Sequence, residues 1–93
     1  VLLKDVKTGE VREQAFGGVF IYVGLDPVSD FATELGILDE NGWVITDDHM
    51  RTTVPGIFAV GDVRQKDLRQ VTTAVGDGAI AGQEVYKYIT ENF

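Results

Sequence analysis

The sequence predicts a small α/β unit, and three observations carry that reading. Val19-Phe20-Ile21-Tyr22-Val23 is an unbroken apolar run, the pattern of a strand buried on both faces in a parallel sheet. Ile57-Phe58-Ala59-Val60 is a second short buried-strand candidate, and it runs straight into Gly61-Asp62. From Val71 to about Glu91, the residues Val71, Val75, Gly78, Gly82, Val85 and Ile89 recur at steps of three and four, which places them on one stripe of a long C-terminal helix.

The remaining elements follow in chain order. Lys7-Thr8-Gly9-Glu10 is a turn signal between a short apolar start and the roughly alternating Val11–Phe16, so the chain opens with a β-hairpin. Gly17-Gly18 punctuates it, and Gly24 followed by Asp26-Pro27 ends the first apolar run. Ser29 or Asp30 starts a short helix through Leu35, with Gly36 just past its end. Asn41-Gly42, a strong hairpin pair, separates Ile37-Leu38 from Trp43–Thr46. Asp47-Asp48 and Pro55-Gly56 mark further turns, and the mostly polar residues 63–70 read as a loop. No repeat or low-complexity segment interrupts this order.

Composition excludes several functions. Ninety-three residues allow one small domain at most. Fifteen acidic against eight basic residues give a formal charge of −7, which argues against a nucleic-acid module and against a helix lying on anionic lipid. There is no cysteine, so this chain holds no disulfide, Cys-ligated zinc, iron–sulfur cluster or thiol redox centre. The single His49 leaves no His-rich metal site and reads as a solvated side chain without a partner. No apolar run approaches the ~20 residues of a membrane span, no signal segment opens the chain, and a cytoplasmic origin is expected. The first residue is Val1 rather than Met, and a piece of something longer is expected. Trp43 and Phe58 read as core residues; Asp39-Glu40 and Asp47-Asp48 read as solvated turn charges.

The long helix opposes its own propensity. Gly76, Gly78 and Gly82 lie inside it, and each costs about 1 kcal/mol relative to Ala. Either the helix packs closely on a sheet or another helix along the side bearing Ala74, Gly78 and Gly82, or a ligand approaches near its start; the two are compatible. Its start has few of the usual caps: Gln70 precedes it, Thr72 and Thr73 follow, and no Asp or Glu occupies the first turn. That leaves the positive end of the helix dipole and its unpaired N–H groups open to an electron-rich group.

A strand ending in Gly-Asp puts a carboxylate at the carboxyl edge of a sheet, where α/β proteins bind ligands, although such a pair is also an ordinary turn. This pair has a context. Thr53-Val54-Pro55-Gly56-Ile57-Phe58-Ala59-Val60-Gly61-Asp62 resembles the second FAD-binding motif of the two-dinucleotide-domain flavoproteins. Gly18–Gly24 resembles the strand that closes that family's NADPH domain and leads back to its FAD domain. Arg69-Gln70-Val71, followed by Thr72–Ala79, resembles the start of the last helix in the bacterial low-molecular-weight thioredoxin reductases, with Val71 where Ala is usual. The resemblance runs from about residue 1 to residue 90, with its motifs in the family's order.

The resemblance implies a partial three-layer FAD/NAD(P)-binding Rossmann-like fold. Residues 1–25 would form the end of an NADPH-binding domain, and residues 26–93 the closing part of an FAD-binding domain. It implies that Asp62 bonds the ribityl chain of FAD and Gly61 allows close approach. Arg69, Gln70 and the Val71 backbone would face the flavin, where amides at Val71 and Thr72 favour the negative charge of the reduced ring. The implied activity is NADPH-dependent reduction of a thioredoxin-like protein through FAD and a dithiol pair. The Gly-x-Gly-x-x-Gly turns and the Cys-x-x-Cys pair that this needs are absent here, so the chain alone is expected to be inactive and to self-associate or form a homodimer. Within the enzyme class the rivals are thioredoxin-reductase-like ferredoxin–NADP reductases and the flavoprotein of alkyl hydroperoxide reductase. Outside it, the rival is a free-standing binding or interaction module.

Overall fold

The computed structural model describes residues 1–93 as an elongated body, 66 × 28 × 19 Å, with two ends of different character. One end is the predicted hairpin. Strands β1 (Leu2–Lys4) and β2 (Val11–Glu13) pair antiparallel, with Leu3 opposite Arg12. The Asp5 carboxylate shapes the turn by accepting the N–H groups of Lys7 and Thr8, and Gly9 supplies the positive φ of 75°.

The other end is held by loops and one helix, α1 (Val71–Asn92). The predicted short helix is a 3-10 turn, Asp30–Leu35, ended by Gly36 in the left-handed conformation. Its Ser29 does not cap it: the Ser29 hydroxyl donates instead to the Gly42 carbonyl at 2.6 Å, tying this turn to the Asn41-Gly42 turn. That second turn forms as predicted, with Leu38 opposite Val44 antiparallel. Asp39 accepts the N–H groups of Asn41 and Trp43, and Asp47 those of His49 and Arg51. These two aspartates sit in turns as expected, Asp47 exposed, and in addition accept the backbone N–H groups that shape those turns. A small core of Ala32, Ile37 and Val44 lies beneath, covered by Leu38, Val54, Ile57, Ala59 and Val63. Trp43 and Phe58 are only half-buried, and Phe58 meets Tyr88 of α1 edge-on at 6.2 Å.

The structure corrects three expectations. Val19–Val23 is not a buried strand: it runs without regular structure, and Phe20, Tyr22 and Val23 are more than nine-tenths exposed. A strand apolar on both faces needs strands beside it and layers above and below, and this chain supplies neither. Ile57–Val60 is likewise not a strand of a parallel sheet; only Phe58 pairs, antiparallel, with Arg51. The single parallel pairing joins Val44 and Arg64, so the three-layer arrangement is not formed within these residues.

The third correction concerns α1. Its inward face is Asp77, Ala81 and Glu84, while Val71, Val75 and Ile89 of the predicted apolar stripe are exposed. A Cβ built on Gly76, Gly78 or Gly82 would meet nothing within 4 Å, so close packing within this chain does not explain these glycines. The helix turns charged side chains toward its own chain and its apolar and glycine side outward. It is also too polar to cross a membrane.

Candidate functional site

The site is built where the Gly61–Val63 turn, which follows residues 57–60, meets the first turns of α1. Gly61 adopts a φ of 79°, open to glycine without strain, and begins a one-turn 3-10 helix, Gly61–Val63. Its N–H donates to Asp77 Oδ2 at 2.9 Å, and a Cβ placed on it would lie 3.8 Å from Ala74 Cβ. The turn is thus seated directly on the first two turns of the helix. Asp62 is exposed, and no hydrogen bond engages its carboxylate.

Arg69 crosses back over this turn. Its Nε donates to the Asp62 carbonyl at 2.9 Å and an Nη donates to the Arg64 carbonyl at 2.8 Å. The guanidinium plane covers the Trp43 ring, 3.5 Å from its centroid. Arg69 therefore shapes the cleft and fixes its wall. A cleft of about 260 Å³ opens here, lined by Leu25, Pro27, Trp43, Asp62, Val63 and Arg69 among others. A larger hollow of about 670 Å³ lies against the hairpin, lined by Leu3, Lys4, Asp5, Glu10 and Arg12, and shares no residue with this one.

The helix start is better capped than its sequence suggests. The Gln70 N–H donates to Thr73 Oγ1 at 3.0 Å, the half of a capping box that Thr73 supplies. The N–H groups of Val71 and Thr72 have no acceptor within the helix, and no carboxylate occupies the first turn. The Val71 side chain is 81% exposed, so only its backbone is placed to act. Of the predicted site residues, the structure brings Gly61, Asp62 and Arg69 into contact, with Gln70 and Val71 next in chain at the helix start.

Sequence reasoning missed the ion pairs beneath. Asp77, 8% exposed, accepts Arg64 Nη1 at 2.8 Å and Lys66 Nζ at 3.0 Å in addition to the Gly61 amide. Arg64 Nε donates to Thr46 Oγ1 at 2.7 Å. Burial works against ionising Asp77, but the bonds from Arg64, Lys66 and the Gly61 amide outweigh it and hold its pKa below the ordinary carboxylate value. The available signal was an Asp flanked by glycines in mid-helix, with three basic residues, Arg64, Lys66 and Arg69, in the loop preceding it. Glu84 anchors a second cluster, with Arg51 at 2.8 Å, His49 Nδ1 at 3.1 Å and Lys87 at 3.6 Å. His49 therefore has a partner, contrary to the expectation of a solitary side chain. The Glu84 pKa is also lowered: burial opposes ionisation, and the Arg51 hydrogen bond with the Lys87 and His49 charges overcomes it.

The pyridine nucleotide-disulphide oxidoreductase family model matches residues 2–78. The chain is 60% identical over 74 residues to a thioredoxin reductase of Listeria innocua, covering 80% of this chain and 23% of that protein. It is 52% identical over 91 residues to the thioredoxin reductase of Bacillus subtilis, covering 98% of this chain and 29% of that one. The crystal structure of Lactococcus lactis thioredoxin reductase (FR conformation) matches 97% of this chain at 73% identity with a TM-score of 0.80, and 30% of that chain is covered. Thioredoxin reductase from Streptococcus pyogenes matches at 68% identity and a TM-score of 0.84, with 97% and 29% covered. The chain spans less than a third of the length of these relatives.

Proposed function

The chain belongs to the pyridine nucleotide-disulphide oxidoreductase family, and from that membership we propose that it supplies the flavin-facing part of an NADPH-dependent thioredoxin-disulphide reductase. Residues 1–25 belong to the end of the NADPH-binding domain and residues 26–93 to the FAD-binding domain. The carrying observation is the seating of the Gly61-Asp62 turn on the start of α1, with Arg69 bonded to the carbonyls of Asp62 and Arg64.

The donor and acceptor set fits FAD. The Asp62 carboxylate is exposed and free to accept hydrogen bonds from the hydroxyls of a ribityl chain. Gly61 presents no side chain beside it. The Val71 and Thr72 amides offer donors at the positive end of a 22-residue helix whose first turn lacks acids. Arg69 holds the cleft wall, and Gln70 stands as a polar neighbour of the helix start. FAD, when bound, supplies the electron transfer between NADPH and a disulphide. These residues bind and orient; without cysteine the chain performs no disulphide step of its own.

A graft tests the proposal. The chain replaces the 73%-identical segment of the Lactococcus lactis thioredoxin reductase, and thioredoxin-dependent NADPH oxidation is followed. Turnover within about tenfold of the parent enzyme is expected, since the chemistry lies with the cofactor and the dithiol pair. A folded graft that carries FAD yet turns over no thioredoxin contradicts the proposal.

A further inference from the structure

We propose that Asp77 is a positioning residue for this cleft, clamping the turn that carries Asp62 onto helix α1. The inference rests on the reading of the cleft as an FAD site.

An aspartate in mid-helix needs a reason. Asp is a poor helix former, and Asp77 sits at the seventh position of α1, beyond the reach of the dipole at its start. It is buried, and a buried carboxylate is costly unless paired and hydrogen-bonded. All of its partners come from one short segment. Oδ2 accepts the Gly61 N–H at 2.9 Å and Lys66 Nζ at 3.0 Å; Oδ1 accepts Arg64 Nη1 at 2.8 Å. Residues 61–66 are thereby held at three points by one side chain.

The clamp is continuous with the cleft. Arg64 is fixed at its other edge by Thr46, and its carbonyl accepts Arg69. Arg69 in turn holds the Asp62 carbonyl and covers Trp43. Asp77 touches none of the cleft's open surface, and it is absent from the residues lining it. Its influence on Asp62 runs through the backbone of Gly61, one residue away. Asp77 thereby fixes, relative to the start of α1, the backbone from which the Asp62 carboxylate projects. Glu84, the other buried carboxylate of the helix, pairs with His49, Arg51 and Lys87 and takes no part.

The test is a double-mutant cycle on FAD affinity in the Lactococcus lactis graft, using Asp77→Asn, Asp62→Ala and the pair. If Asp77 acts through the placement of Asp62, Asp77→Asn weakens FAD about tenfold alone and has little further effect once Asp62 is Ala. A purely structural role would weaken FAD equally in both backgrounds, and that result overturns the proposal, as does unchanged affinity. Lys66→Gln covers the case in which Asp77→Asn does not fold. It removes one arm of the clamp and keeps the Gly61 bond, and an FAD affinity about two- to threefold weaker, again only with Asp62 present, is expected. The Gly61 amide shift in ¹H–¹⁵N spectra gives a reading independent of FAD: it moves in Asp77→Asn and stays in Asp62→Ala. A graft with unaltered residues that binds no FAD refutes the cleft reading itself, and the clamp's role with it. FAD bound normally by both Asp77→Asn and Lys66→Gln refutes the clamp alone.

Discussion

The guanidinium carbon of Arg69 lies over the ring of Trp43, 3.5 Å from its centroid, while the same group donates to the carbonyls of Asp62 and Arg64. One planar group thus joins the Asn41-Gly42 turn to the Gly61-Asp62 turn. Lysine cannot reproduce a stacked fork with two donors. Arg69→Lys is expected to cost about 1–2 kcal/mol in urea unfolding. Trp43 is the only tryptophan, so its emission reports this contact and should shift to the red in Arg69→Lys. Unchanged emission and an unchanged midpoint would contradict the assignment.

Stability should fall in acid, and the sign follows from the carboxylates. Asp77 and Glu84 both have folded pKa values below their ordinary ones: burial opposes the charge, and hydrogen-bonded cations outweigh it. Their contribution is complete above the ordinary carboxylate range and is lost as pH falls below that range through the lowered folded values. Urea midpoints measured from neutral pH downward should drop in that window. Asp77→Asn should start lower at neutral pH and fall less steeply in acid. Parallel pH profiles for the two proteins would show that Asp77 contributes nothing to the acid dependence.

The helix glycines make a prediction of opposite sign to the turn glycine. Nothing lies within 4 Å of a Cβ at Gly76, Gly78 or Gly82. In this chain each Gly→Ala change should therefore stabilise by about 0.5–1 kcal/mol. Gly42 has a φ of 89°, and a Cβ there would sit 3.0 Å from Pro27 Cγ. Gly42→Ala should destabilise by more than about 1 kcal/mol. Thermal unfolding of the four variants checks both signs at once, and a loss at Gly78 comparable to that at Gly42 would show that the helix face is covered.

The exposed apolar residues predict self-association. Phe20, Ile21, Tyr22 and Val23 are 85–98% exposed in a segment without regular structure, and Val71 and Val75 add an apolar helix face. At micromolar concentration the chain should sediment as a dimer or larger, and Ile21→Lys should shift it toward monomer. A monomeric unaltered chain would contradict this.

How much of this was legible depended on the range of the interaction involved. The β1–β2 hairpin, the Asp30–Leu35 turn ended by Gly36, the Asn41-Gly42 turn and α1 are local, and their signals lie within a few residues. Val19–Val23 misled because a buried-strand pattern specifies a partner as well as a conformation, and no partner strand lies in these 93 residues. The stripe of α1 misled for the same reason: its apolar and glycine side is written for contacts this chain does not provide, while Asp77 and Glu84 face inward to Arg and Lys side chains 11 to 33 residues away, and Glu84 also to His49. Gly61, Asp62 and Arg69 were readable as a motif. The Arg69–Trp43 stack, Asp77 and the pairing of His49 with Glu84 were not, because nothing in linear spacing foretells which loop a buried charge will meet.

Whether the Gly61-Asp62 turn binds flavin is decided by the FAD content of the Lactococcus lactis graft, read from flavin absorbance per protein after desalting, with Asp62 intact and as Asp62→Ala. Close to one FAD per graft chain is expected with Asp62, and loss of most of it, about tenfold or more in affinity, with Ala. Equal retention of FAD by both would show that the Gly61-Asp62 turn is a turn and nothing more.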